Sequence, residues 1–146
     1  MYDRPTLEEL LDAARLHLES AVIPAVREDR KLYFQTLVAI NVLKIAEREL
    51  QWGGEHIRAE WIRLNSIESR DVHLPSSDGE IRLALTERNA ALCTQIRTGG
   101  YDDSSDVLLS HLKSTTIEQL QVTNPNYLKK LMLEDQNPAL DAWHNR

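Results

Sequence analysis

Between Leu7 and Ala21 the apolar side chains recur at Leu7, Leu11, Ala14, Leu18 and Ala21. These steps of four and three place them on one face of a helix. Thr6 stands before the run and Glu9 three residues on, the pattern of a capping box. Pro24 is expected to end or kink this helix. The next pattern is longer, "RKLYFQTLVAINVLKIAERELQW", and from Leu37 to Ile45 only Asn41 and Lys44 interrupt it. So apolar a stretch predicts a central helix buried over most of its circumference. Gly53-Gly54 is expected to stop it.

A third helix follows in "EHIRAEWIRLNSIES", with Ile57, Trp61 and Leu64 on one stripe. "RDVHLPSSDG" is a loop. The fourth helix, "EIRLALTERNAALCTQIRT", aligns Ile81, Leu85, Leu92 and Ile96, and Gly99-Gly100 supplies a left-handed stop. After the loop "YDDSSD", a fifth helix carries Leu109, Leu112 and Leu120 inward. It meets Asn124-Pro125, where the residue before proline is pushed out of the helical region. Tyr127 and Leu128 then either fold back as an apolar clasp on the last turn or stay available to a partner. Strand patterns are weak throughout. The expectation is an all-α, single-domain antiparallel helical bundle of about five helices over residues 1–128, with 129–146 a partly helical or frayed extension.

Composition changes this picture little. A chain of 146 residues is long enough for a core, and with aromatics at only 5% most of that core must be aliphatic. Five glycines and five prolines are too few for a turn-rich all-β chain. Charge excludes more. The net charge is −6, with 10 basic against 13 acidic residues in 1–73 and 7 against 10 in 74–146. Neither half carries the basic footprint of a nucleic-acid binder or the polybasic patch of a membrane-surface protein. No run approaches the ~20 apolar residues of a membrane span, and "MYDRPTLEEL" lacks the apolar core of a signal peptide. A soluble cytoplasmic protein is expected.

Candidate chemistry is sparse. Cys93 is the one cysteine, which rules out an internal disulfide and a cysteine-built zinc site. In "AALCTQI" it reads as a small buried residue. The five histidines are scattered and no Glu-x-x-His pair occurs, so no metal or cofactor is expected. His56 and Glu60, one turn apart, read as solvated side chains. The double glycines follow helices, whereas a phosphate-cradling loop precedes one. No catalytic residue is assigned.

The polar residues that stand out are Asn41 inside its apolar run, Arg48 two turns later with Glu47 and Glu49 beside it, and Arg88 on the stripe between Leu85 and Leu92. A buried arginine needs a carboxylate or carbonyls. These residues fit an internal network, with Arg48 or Arg88 paired to Glu47 or Glu49. The alternative to that network is a polar inter-helix pocket around Asn41 and Arg48 for an anionic group, or an interface hot spot. Trp52 and Trp61 fit core packing or an aromatic anchor.

Taken in order, "RPTLEELLDAARLHLESAVIPAV", "FQTLVAINVLKIAEREL", "LCTQIRTGGYDD" and "LLSHLKSTTIEQLQVTNPNYL" resemble a small bacterial domain-of-unknown-function family across about residues 2–128. Its members open on Arg-Pro-Thr or Arg-Pro-Ser and close on Asn-Pro-Arg-Tyr-Leu. The resemblance picks out Arg4, Pro5, Asn41, Arg48, Glu49, Arg97, Asn124, Pro125, Tyr127 and Leu128. Position 126 departs from it, with Asn where Arg is usual. Members of that family are commonly encoded beside an aminoglycoside-phosphotransferase-like kinase and an acyl-CoA dehydrogenase. The resemblance therefore implies a non-catalytic accessory subunit of such a kinase, acting on hydroxyacyl-CoA in 4-hydroxy acid or levulinate-type catabolism. Arg4, Trp52, Trp61, Tyr127 and Leu128 are the interface candidates. The alternatives are a small ligand-binding module and a homodimer built on helices one and five.

Overall fold

The computed structural model describes residues 4–102 and 105–135. The chain is all-α. Among the described residues six α-helices form: α1 (Leu7–His17), α2 (Ile23–Ala25), α3 (Arg30–Ile67), α4 (Asp78–Arg97), α5 (Ser105–Thr123) and α6 (Pro125–Asp135), with a π-helical turn, Leu18–Val22, joining α1 to α2. The chain divides into two compact units, Met1–Gly53 and Gly54–Arg146.

In the first unit the Thr6–Glu9 capping box forms as expected, with the Thr6 hydroxyl accepting from the Glu9 N–H at 3.2 Å and Glu9 accepting from the Thr6 N–H at 2.8 Å. Pro24 neither stops the helix nor simply kinks it. The turn before it widens, so that the Ile23 N–H reaches back to the Leu18 carbonyl, and helical structure ends at Ala25. The Asp29 carboxylate then accepts from the N–H groups of Lys31 and Leu32, both at 3.0 Å, and opens α3. Charge ties α1 to α3. The Arg15 guanidinium contacts Asp12, Glu19 and Glu47, with Nε 2.9 Å from Glu47 Oε1, and Lys44 reaches Glu19 at 2.7 Å. Glu47 in turn holds the Arg15 pKa above its ordinary value.

The expected burial of the Leu37–Ile45 stretch is not found. Ile40 is buried, but Leu37, Val38 and Val42 are 42%, 47% and 57% exposed. The reason is geometric. The segment that precedes α3 meets it through Glu47, bonded to Arg15, and Lys44, bonded to Glu19, and a neighbour of this kind covers one stripe of a helix, not its full circumference.

The stop at Gly53-Gly54 is also corrected: α3 runs through both glycines as one helix of 38 residues. Gly53 is buried. A Cβ on Gly54 would stand 3.0 Å from Arg58 Nη1 and from Asp78 Oδ2. Arg58 uses that room, donating to the Gly54 carbonyl at 2.6 Å and pairing with Asp78 at 2.5 Å. Interior glycine costs about 1 kcal/mol per residue against alanine, and here the close side chains offset it.

The second unit holds the larger core: Ile57, Trp61, Leu64, Ile81, Leu85, Leu92 and Leu108. The stripes foreseen on the third and fourth helices are therefore the core, except for Ile96, which is 38% exposed. Ser77 and Glu80 cap α4 reciprocally, and Ser76 and Ser77 hold the Glu80 pKa below its usual value by hydrogen bonding. Gly99, at φ +78°, and the Gly100 N–H bonded to the Gln95 carbonyl at 2.9 Å end α4 as expected. Cys93 is exposed rather than buried, because it follows Leu92 by 100° around the helix and turns away from the core.

Of the leucines expected inward on α5, Leu109 and Leu112 face outward, at 59% and 41% exposure, and Leu120 is half-buried. The inward stripe is Leu108, His111, Thr115, Glu118 and Val122. Asn124 both ends α5 and caps α6, since its side chain accepts from the Tyr127 N–H at 3.2 Å. Pro125 occupies the first helical position, where its missing N–H costs nothing. Residues 129–135 of the expected extension are helical, and 136–146 lie outside the described residues.

Candidate functional site

The polar centre of the second unit forms where α3 meets the inward stripe of α5. Arg63 grips Glu118 with both Nη groups, at 2.7 and 2.5 Å, and its Nη2 also reaches the Thr115 hydroxyl at 3.2 Å. The bidentate pairing is the strong geometry for a partly buried pair. One turn earlier on α3, Glu60 accepts from the Asn89 amide of α4 at 2.8 Å. His111 lies among these groups, only 3% exposed. Burial pushes its pKa down, the Arg63 charge adds to that, and Glu60 and Glu118 oppose it. The balance favours the neutral imidazole. Two buried polar atoms here have no hydrogen-bond partner: Arg63 Nε and His111 Nδ1. Both residues line a cavity of about 340 Å³ together with Ser66, Ile67, Asp106, Val107 and Ser110.

A second network, a turn further along α3, surrounds Arg88. Its guanidinium stacks 4.4 Å from the Trp61 ring centroid. It donates to Glu68 at 3.2 and 3.1 Å and to Asn65 at 2.9 Å. Asn65 and the Trp61 indole both donate to the Val72 carbonyl at 3.0 Å, which fixes the loop after α3. The internal pairing foreseen for Arg88 is present, but its carboxylate is Glu68. Glu47 serves Arg15 in the first unit.

The sequence-predicted residues fall apart into several places. Asn41 is exposed on α3, beside Phe34, Leu37, Val38 and Val42, while Arg48, Glu49 and Trp52 are half-buried further along the helix. Arg4 is exposed and pairs loosely with Glu9 at 3.5 Å. Trp61 is 3% exposed and belongs to the core, so it offers no surface. Arg97 is exposed near the end of α4. Leu128 is 7% exposed and Tyr127 48%, so of the expected clasp only Leu128 turns inward. Trp61 and Arg88 are brought into direct contact. His111, Arg63 and Glu118 were missed. The signal for them was the 3-4-3-4 spacing of positions 108, 111, 115, 118 and 122, which is the core register of α5 and carries three polar residues.

A family model described as "Domain of unknown function (DUF6285)" matches residues 24–127. The chain belongs to this family. The matched segment contains Arg63, Arg88, His111 and Glu118, as well as Asn124, Pro125 and Tyr127, and it starts after Arg4 and Pro5. No curated protein and no solved structure matches the chain. Among the described residues no three His, Cys, Asp or Glu side chains gather as a metal-ligand set, and no helix is long and apolar enough to cross a membrane.

Proposed function

We propose that this chain is a non-catalytic accessory subunit that docks on a partner protein through the outer face of α3. The observation that carries this reading is the stripe Phe34, Leu37, Val38, Asn41 and Val42. Its spacing of i, i+3, i+4, i+7 and i+8 is that of a helix face meant for burial. Yet Phe34 is 66% exposed and its aliphatic neighbours 42–57%. Contiguous apolar surface of this kind on a folded chain marks an interaction site. Asn41 at its centre is the one polar position, a device that fixes register in helix-to-helix docking. The fitting partner surface is an apolar helical groove with a hydrogen-bonding group opposite Asn41.

The resemblance of the opening, the second helix and the Asn-Pro-x-Tyr-Leu close supports an aminoglycoside-phosphotransferase-like kinase acting on hydroxyacyl-CoA as that partner. The test is co-expression with the neighbouring kinase. The two chains are expected to co-purify, and Phe34→Asp to separate them. A kinase fully active alone that never associates with this chain overturns the reading. A second copy is the competing occupant of the same stripe. A concentration-dependent dimer mass in light scattering, abolished by Phe34→Asp and unaffected by the kinase, favours the homodimer instead.

A further inference from the structure

The core of the second unit is shared unequally among its helices. Ile57, Trp61 and Leu64 come from α3, Ile81, Leu85 and Leu92 from α4, and Leu108 alone from α5. Among the described residues, none of the half-buried side chains packed against that cluster lies on α5 or α6. What α5 presents to α3 beyond Leu108 is polar: the Glu118 carboxylate and Thr115 hydroxyl on Arg63, and His111 beside them. α6 goes with α5, since Leu128 and Leu131 line one groove with Ile117 and Leu120. Apolar contacts do not change with pH, whereas a layer held by polar groups depends on their protonation.

We propose that α5, with α6 attached, is a releasable layer of the second unit, and that protonation of His111 lifts it off α3 and α4. His111 is 3% exposed, so an imidazolium there is cut off from water, and a buried charge is costly unless it is paired. The groups that face it are already engaged. From α3, Arg63 is a like charge and Glu60 accepts from the neutral Asn89 amide of α4. On α5 itself, both oxygens of Glu118 are taken by Arg63, and Asp106 is exposed at the start of the helix. An imidazolium donates from both ring nitrogens, yet His111 Nδ1 has no partner to receive its proton. Moving α5 away returns the ring to water. Burial first, then the Arg63 charge, hold the His111 pKa below its ordinary value, with Glu60 and Glu118 opposing. The closed layer therefore binds protons less readily than the open one, and acid favours opening. Because α3 and α4 keep the rest of the core between them, the opening is sub-global.

Hydrogen exchange of the full chain tests this, read in steps from about pH 7.5 to about pH 5 and corrected for the intrinsic rate at each pH. Amides of α5 and α6 are expected to lose protection together as the pH falls, while residues 57–64 of α3 and 81–92 of α4 keep theirs. The loss should begin near the ordinary histidine value and level off at the pKa at which the His111 ring itself titrates by NMR. His111→Gln, which takes no proton, should remove the pH dependence. The ring titration is made on the parent chain, so the test stands even where that variant fails to fold. Protection of α5 and α6 that does not change with pH overturns the proposal, as does protection lost evenly across α3, α4 and α5. So does a loss that survives His111→Gln, or a His111 ring that titrates at or above its ordinary value.

Discussion

Truncating Arg63 to alanine removes three hydrogen bonds to Glu118 and Thr115 and leaves a carboxylate only 19% exposed without its cation. Breaking a fully buried pair costs about 3–5 kcal/mol. Partial solvation of this one lowers the expected loss to about 2–3 kcal/mol, read by urea denaturation. Replacing both partners together with Met and Leu should recover most of it, because no orphan charge remains. Beside this pair, His111 gives a pH signature. Its folded-state pKa lies below the ordinary histidine value of 6.5, through burial first and then the Arg63 charge, with Glu60 and Glu118 opposing. The unfolded chain therefore binds a proton that the folded chain refuses. The stabilising contribution is whole above 6.5 and is lost as pH falls below it. Unfolding free energy should drop between about pH 7 and pH 5, and His111→Gln should flatten that limb. Gly99 sits at φ +78°, and an added Cβ would stand 2.9 Å from Asp102 Oδ2, so Gly99→Ala should cost about 1–2 kcal/mol.

Asn124 shows how one residue serves two elements. Its backbone N–H closes α5 on the Leu120 carbonyl at 2.9 Å, and its side chain accepts from the Tyr127 N–H of α6. Asn124→Ala should cost about 1 kcal/mol. The loss should appear in hydrogen exchange as faster exchange at the first amides of α6, with α4 unchanged. "TNPNYL" is thus a helix start, which an Asn cap followed by Pro at the first helical position does announce. Caps of this kind were legible in the sequence: Thr6–Glu9 and Ser77–Glu80 are local, and local chemistry decides them. The core stripes Ile57–Trp61–Leu64 and Ile81–Leu85–Leu92 were legible for the same reason, since periodicity alone sets a face. What was not legible depended on a neighbour. Gly53-Gly54 reads as a stop until Arg58 and Asp78 are seen filling the space that a Cβ on Gly54 would need. Leu109 and Leu112 of α5 read as its inward face until Arg63 is seen to pair with Glu118 there, in the register that points His111, Thr115 and Glu118 in. Asn41 reads as an interior oddity only if its helix is wrapped on all sides, and one hairpin partner cannot do that.

The apolar surface left bare on α3 carries the last prediction. Phe34 and Val38 are 66% and 47% exposed, so in the free chain neither contributes much to folding. A double change, Phe34→Ser with Val38→Ser, should leave thermal unfolding within about 0.5 kcal/mol of the parent, as surface substitutions usually do. If the stripe is a docking face, the same change removes two anchors from a buried contact. Full burial of a large apolar side chain stabilises by about 1.5–3 kcal/mol, so even the low end for both is more than a hundredfold in partner affinity. Because the contact is apolar, the affinity of the parent chain should hold between low and physiological salt, where a charge-steered encounter would weaken. Asn41→Leu separates attraction from register. It extends the apolar stripe and should preserve or tighten binding while admitting partners in shifted alignments, as loss of a buried Asn does between paired helices. Titration calorimetry against the partner reads all three outcomes. A double serine variant that binds as the parent does would place the docking surface elsewhere on the chain.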